Sequence, residues 1–289
     1  MPDPIAAVRP WARRLRMRLR RLQPQLADAL GRTPAGAMAP DAVAYRCNLC
    51  GTANRAPLAA LSRENPTCRG CDSSVRFRAI GRLVALEVAG RECALPDLPP
   101  SKHLRGIGLS DADAYAQPLA KRFDYVNTYF HTEPRLDIAN HAAADRYGRC
   151  DFIVASDVFE HVVPPVERAF DGAARLLKPG GKLIFTVPFS LDPETVEHFP
   201  ALHEWKVAEH DGRWRLYNRT ADGRETVHDD LVFHGGPGAT LEMRLFSQAA
   251  LLRAFERAGF ARVRIAAEPC LAFGIHWPEP WSVPMVAYR

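Results

Sequence analysis

Apolar positions along this chain follow helical and extended periods in alternation. Val75, Ile80, Leu83, Val84 and Leu86 recur at helical spacing and predict a helix over 73–89. A short strand is predicted over 103–109, a helix over 111–121 and a second strand over 123–128. The most informative stretch is 151–189, DFIVASDVFEHVVPPVERAFDGAARLLKPGGKLIFTVPF. Residues 151–158 read as a buried parallel strand, an apolar run ending in acid. Pro164 and Pro165 suit a helix start. Val166, Ala169, Phe170, Ala173, Leu176 and Leu177 form the stripe that follows. Pro179-Gly180-Gly181 stops that helix and turns the chain, and 182–188 is a second buried strand. A βαβ unit of this kind belongs to a doubly wound α/β sheet and puts residues 156–161 at the carboxyl end of a strand, where open sheets bind ligands.

Further along, 247–259 reads as a helix ending at a glycine and 261–267 as a strand. Residues 282–289 read as a final strand, antiparallel to its neighbour. Residues 190–245 are too many for a simple connection. Within them 205–210 and 213–218 alternate around Asp211-Gly212, a strong hairpin signal, and 224–232 supplies a third strand. His198, His203, Trp205, Tyr217, His228, Asp229, Asp230 and His234 crowd this insertion. Their polar and aromatic density suits a lid over a hydrophilic substrate; a surface meander or dimer contact would read the same way. His228, Asp229 and His234 lack a diagnostic metal-ligand spacing.

The chain has 289 residues, 47% hydrophobic and 25% charged, ordinary for a globular protein with room for one large domain and a small module. No apolar run reaches the ~20 residues that span a bilayer. The basic N-terminus lacks the apolar core of a signal peptide, so a cytoplasmic location is expected. The net charge of +5 divides unevenly: residues 1–33 carry +6 and the rest −1. A near-neutral body offers no broad basic field for nucleic acid. In the arm, Trp11, Leu15, Leu19, Leu22, Leu26 and Leu30 recur at helical spacing among arginines. That pattern fits a peripheral contact with anionic membrane or nucleic acid, and equally a plain surface helix or tail. Residues 31–44 read as a linker.

Cys47-x-x-Cys50 and Cys68-x-x-Cys71 lie 17 residues apart, a spacing suited to four thiolates around a structural zinc ion. An iron–sulfur cluster or redox pair would use the same residues. Cys93, Cys150 and Cys270 have no such spacing and read as ordinary small side chains. A ribbon this small needs metal to fold, and its run into the 73–89 helix favours docking on the larger body.

DVFEHV followed by LLKPGGKLIFTVPF resembles the fourth and fifth strand motifs of class I S-adenosylmethionine-dependent methyltransferases, over roughly residues 75–289. The resemblance implies a Rossmann-like seven-stranded sheet and S-adenosyl-L-methionine as cofactor. It places Gly106 and Gly108 in the glycine turn beside the cofactor, without the family's usual third glycine. Asn127 stands where an acid usually meets the ribose hydroxyls. Asp137 resembles the acid that faces the adenine amine; a helix cap is its structural alternative. Ser156, Asp157 and Val158 fall near the methionine and sulfonium end. Glu160 and His161 follow as candidate catalytic groups, the first to orient the cationic cofactor, the second as a proton acceptor.

The expected organisation is a basic arm and linker over 1–44, a zinc ribbon over 45–74 and a methyltransferase domain over 75–289 with a lid at 190–245. The expected activity is methyl transfer to a small molecule or glycan. An RNA methyltransferase gripping nucleic acid through ribbon and arm is the alternative, and a non-catalytic scaffold the third reading.

Overall fold

A computed structural model gives the structure and describes residues 41–289. The arginine-rich arm of 1–33 lies outside the described residues, as does most of the linker. The first described strands, β1 (Ala42–Arg46) and β2 (Ala53–Pro57), form an antiparallel hairpin that carries the first cysteine pair at its turn. After the second pair, Ser74 caps α1 (Val75–Leu83) by accepting from the Phe77 amide, and the helix runs on as a wider turn through Val84–Val88.

The body alternates strand and helix as its apolar pattern requires: β3 (Ser101–Leu109), α2 (Asp113–Arg122), β4 (Phe123–Thr128), α3 (His141–Tyr147), β5 (Cys150–Ser156), α4 (Glu167–Leu176) and β6 (Leu177–Thr186). The strand β6 starts at Leu177, before the Pro-Gly-Gly triplet, and a register shift against β5 absorbs the triplet as a bulge. The insertion forms a meander, β7 (Glu204–His210), β8 (Arg213–Arg219) and β9 (Glu225–His228). His210 faces Arg213 across the Asp211-Gly212 turn, and both turn residues have positive φ, 51° and 72°, the geometry of a two-residue hairpin loop. The chain closes with β10 (Arg244–Ser247), α5 (Gln248–Arg257), β11 (Arg262–Ile265) and β12 (Met285–Tyr288).

The central sheet has the order β11-β12-β6-β5-β3-β4, with β12 antiparallel to both neighbours and the other pairings parallel. Side-chain alternation sends Ile107, Ile153, Leu183 and Phe185 to the face covered by α4 and α5. Phe152, Val154, Ile184 and Val286 go to the face covered by α1 and α2. Helices on both faces make the sheet doubly wound. Among the described residues its strands number six, where seven were expected. The missing edge is the segment after β4, reduced to one bridge between Tyr129 and Arg135. Residues 131–135 there are polar and exposed, and Pro134 has no amide to donate to a ladder.

The ribbon is docked. Cys47, Leu49 and Cys68 share a core with Ile80, Leu83 and Leu95. Buried Arg78 of α1 donates to the Ser73 and Gly274 carbonyls and the Thr67 hydroxyl at 2.5–3.0 Å, tying ribbon, helix and C-terminal segment together. No helix among the described residues is long and apolar enough to cross a membrane.

Candidate active site

The carboxyl ends of β3, β4 and β5 bring most of the predicted residues to one edge of the sheet. Gly106 is the exception. A Cβ there would lie 2.2 Å from the Phe152 ring, so this glycine serves packing inside the sheet. Gly108 stands at the strand end, where a Cβ would run into Asp111, Tyr125 and Asn127. Ser110 takes the next left-handed position, φ 56°. The Asn127 amide clasps this turn: its Oδ1 accepts from the Asp111 amide and its Nδ2 donates to the Asp111 carbonyl, both at 2.9 Å. A third contact runs from Nδ2 to the Tyr129 hydroxyl. Where a ribose acid was sought, the chain has a residue that fastens the glycine turn.

Asp111 was not foreseen. Its carboxyl is buried beneath the turn and accepts from the hydroxyls of Tyr115, at 2.9 Å, and Tyr125. Burial pushes it up to about 7, against the pull of the two hydroxyls. Asp137 follows the Tyr129–Arg135 bridge and stays half-buried. Its Oδ1 accepts from the Ala139 amide at 3.0 Å, while Asn140 caps α3.

The loop after β5 is held on three sides. Phe159, fully buried, packs edge-on against Phe170 and Phe185 and anchors the loop in the core. From the ribbon side, Arg63 forks onto Asp157 at 2.6 and 2.9 Å and also donates to the Ser282 carbonyl. Arg76, in the first turn of α1, donates to Ser156 Oγ at 2.5 Å and grips Glu64. Thr186 donates to Asp157 Oδ1 at 3.0 Å. Burial alone would raise the Asp157 carboxyl; the two guanidiniums overcome it and hold the group far below the usual carboxylate range. Val158 packs against the apolar core.

From the insertion side, Arg244 is fully buried and donates to the Phe159 and Val162 carbonyls at 3.0 and 2.6 Å and to Glu197 at 2.7 Å. The Met243 amide donates to the Glu160 carbonyl. His161 Nδ1 lies 2.8 Å from the Leu241 carbonyl and its Nε2 lies 2.8 Å from His234 Nδ1. Burial presses His161 down to about 4, so it is a neutral imidazole at pH 7. Glu160 is fully buried and neither carboxyl oxygen has a hydrogen-bond partner. Burial raises this carboxyl well above its ordinary value.

Arg63, Arg76, Glu242 and Arg244 escaped the sequence reading because nothing local marks them. The one available signal is the alternation Leu241-Glu242-Met243-Arg244-Leu245. It is usually read as polar-out, but here the charged residues face inward.

The four predicted thiols converge. Cys47 and Cys71 sulfurs are 3.7 Å apart, and those of Cys50 and Cys68 3.6 Å. These spacings match edges of a tetrahedron with ~2.3 Å metal–sulfur bonds. All four ligand atoms lie within 4.8 Å of one another.

A cleft of about 130 Å³ opens beside Arg63, lined also by Glu64, Trp277, Pro278, Glu279 and Trp281.

The chain matches the sequence profile of the "Methyltransferase domain" family over residues 50–265. No curated protein matches it. Solved structures similar to it include a sugar N-methyltransferase from a Streptoalloteichus species, at 15% identity, TM-score 0.43, covering 76% of this chain and 89% of that one. Another is an amino pentose methyltransferase from Micromonospora echinaspora, at 16% identity, TM-score 0.41, covering 76% and 93%. A third is an S-adenosylmethionine-dependent methyltransferase from Mesorhizobium loti, at 17% identity, TM-score 0.41, covering 76% and 100%. With three quarters of its length inside the family's profile and the doubly wound sheet behind its strand motifs, the chain belongs to the methyltransferase-domain family and is a class I, S-adenosylmethionine-dependent enzyme.

Proposed function

We propose that the enzyme methylates a ring-sized polar acceptor, a small molecule or the terminal sugar of a glycan, seated in the cleft between the ribbon loop and the segment before β12. The observation that carries this reading is the cleft's lining. Trp281 is 45% exposed and offers an apolar face, while Arg63, Glu64 and Glu279 offer charged groups around it. Its volume of about 130 Å³ is near that of an engineered cavity of ~150 Å³ that takes one benzene ring. Such a site selects a single ring and leaves a folded RNA outside. Arg63 lines the cleft and holds Asp157, which supports an acceptor seated beside the loop after β5.

In this reading the turn at Gly108–Ser110, held by Asn127, receives the cofactor's nucleoside half, and Asp137 accepts from the adenine amine. Ser156, Asp157 and Val158 border the methionine end. The bound cofactor supplies an activated methyl group for in-line displacement, and the protein's task is alignment and exclusion of water. Glu160 and His161 serve the acceptor side together with His234, rather than His161 as a lone base. The four cysteines hold a structural zinc ion, which fixes the loop that delivers Arg63 and Glu64.

Transfer of labelled methyl into fractionated cell extract tests the acceptor class. Label is expected in glycan or small-molecule fractions, and Trp281→Ala should raise KM about tenfold with little change in kcat. Label in RNA would overturn the reading.

A further inference from the structure

We infer that Glu160, His161 and His234 form a second metal site, for a first-row divalent cation, on the insertion side of the loop. Their ligand atoms converge. The Leu241 carbonyl can only accept, so His161 carries its proton on Nδ1 and leaves a lone pair on Nε2. Glu242 Oε2, 3.0 Å from His234 Nε2, fixes the His234 proton there and leaves the lone pair on Nδ1. Those two lone pairs face each other across 2.8 Å. Glu160 Oε1 completes the triangle at 3.8 Å from His161 Nε2 and 3.6 Å from His234 Nδ1, with no hydrogen-bond partner on either oxygen. The three ligand atoms lie within 4.8 Å of one another, a set that can hold a metal ion.

The separations suit a single ion. Bonds of ~2.0–2.2 Å to nitrogen and oxygen place neighbouring ligands about 3 Å apart or slightly more. The surroundings are also those of a metal centre. Ligating imidazoles characteristically donate their other ring N–H to a carbonyl or carboxylate, which sets tautomer and orientation. Leu241 and Glu242 do this for His161 and His234, and Glu242 is itself paired with His198 Nε2 at 3.0 Å. Two imidazoles and one carboxylate select first-row divalent ions over calcium or magnesium. His234 is 22% exposed on its side chain, so the remaining coordination positions open outward to oxygen ligands. The site was invisible in the sequence because His234 stands 73 residues from His161. This inference rests on no assumption about the acceptor.

Titration with Co²⁺ of protein carrying zinc in its cysteine site tests it. Wild-type protein should take up one equivalent, with weak ligand-field absorption and without the thiolate charge-transfer band that marks entry into the cysteine site. His234→Ala and Glu160→Gln should each weaken uptake at least tenfold, with zinc content unchanged as the control for folding. Glu242→Gln, which keeps all three ligands, should weaken it about 10- to 100-fold. Absence of uptake outside the cysteine site in wild-type protein, or equal affinity in wild type and both ligand variants, would overturn the assignment.

Discussion

Asp157 and Glu160 sit three residues apart on one loop, the first partly and the second fully buried, and meet opposite surroundings. Asp157 is met from the ribbon side by a forked Arg63 and by Arg76, and from the end of β6 by the Thr186 hydroxyl. Glu160 is met by the neighbouring His161 imidazole and, from the insertion side, by His234, and neither of its oxygens is hydrogen-bonded. Burial acts on both carboxyls in the same sense. What separates them is the chemistry around each: guanidiniums that complete an ion pair, or imidazoles that leave the Glu160 oxygens without a hydrogen bond. The ribbon side thus pairs its acid, and the insertion side is where the second metal site is proposed.

The largest test removes the metal proposed for the four cysteines. Cys68→Ser should release the zinc, whose binding contributes ~10–16 kcal/mol in small metallo-domains. Arg63, Glu64 and Arg76 would then lose their fixed approach to the loop. Elemental analysis should find no zinc, and a thermal melt should show a large drop in Tm together with loss of methyl transfer. A variant that keeps Tm and activity without zinc would separate the ribbon from the active site.

Next in size is the contrast between the two acids. Arg63→Ala leaves Asp157 buried with only part of its pairing, which costs about 3 kcal/mol or more in urea unfolding. Glu160→Gln breaks no hydrogen bond and should change metal-free stability by less than about 1 kcal/mol. Equal costs would erase the distinction drawn between the two sides. The same contrast has a pH signature. The folded-state value of Asp157 lies below its unfolded value, so its stabilisation is present at neutral pH. As pH falls below about 4 the unfolded chain takes up the proton first, and this stability is progressively lost. Asp157→Asn should flatten that acid limb of the stability profile.

The sheet was largely legible because period and punctuation agreed. The predicted strand over 123–128 and the turn at Asp211-Gly212 fall where the apolar alternation and turn residues put them. The cysteine cluster was legible because its spacing is local. The missing seventh strand was not, since a polar segment with a proline looks the same whether it pairs weakly or not at all. The site's long-range partners were hidden for a related reason. Arg63 reaches Asp157 across 94 residues, and Glu242 and Arg244 are buried in a segment whose alternation suggests the opposite. Asn127 was placed correctly at the end of β4, but its role depends on the neighbouring turn, which no single residue announces.

A third acid sharpens the comparison at its smallest scale. Asp137 is half-buried and makes one backbone contact, accepting from the Ala139 amide through Oδ1. An asparagine there can keep that bond through its own Oδ1, so Asp137→Asn should leave Tm nearly unchanged. It replaces the second carboxylate oxygen with a donor, which cannot accept from an adenine amine. The expected cost is about 1 kcal/mol of cofactor affinity, or about fivefold in Kd by calorimetry. Gly108→Val is a poorer probe of the same pocket: the added carbons would collide with Asp111, Tyr125 and Asn127 and disturb the turn itself. Unchanged affinity in Asp137→Asn would remove Asp137 from the cofactor site and leave it with a turn-forming role. A fivefold loss without a change in Tm would give the third acid a role that neither of the other two has, recognition without contribution to the fold.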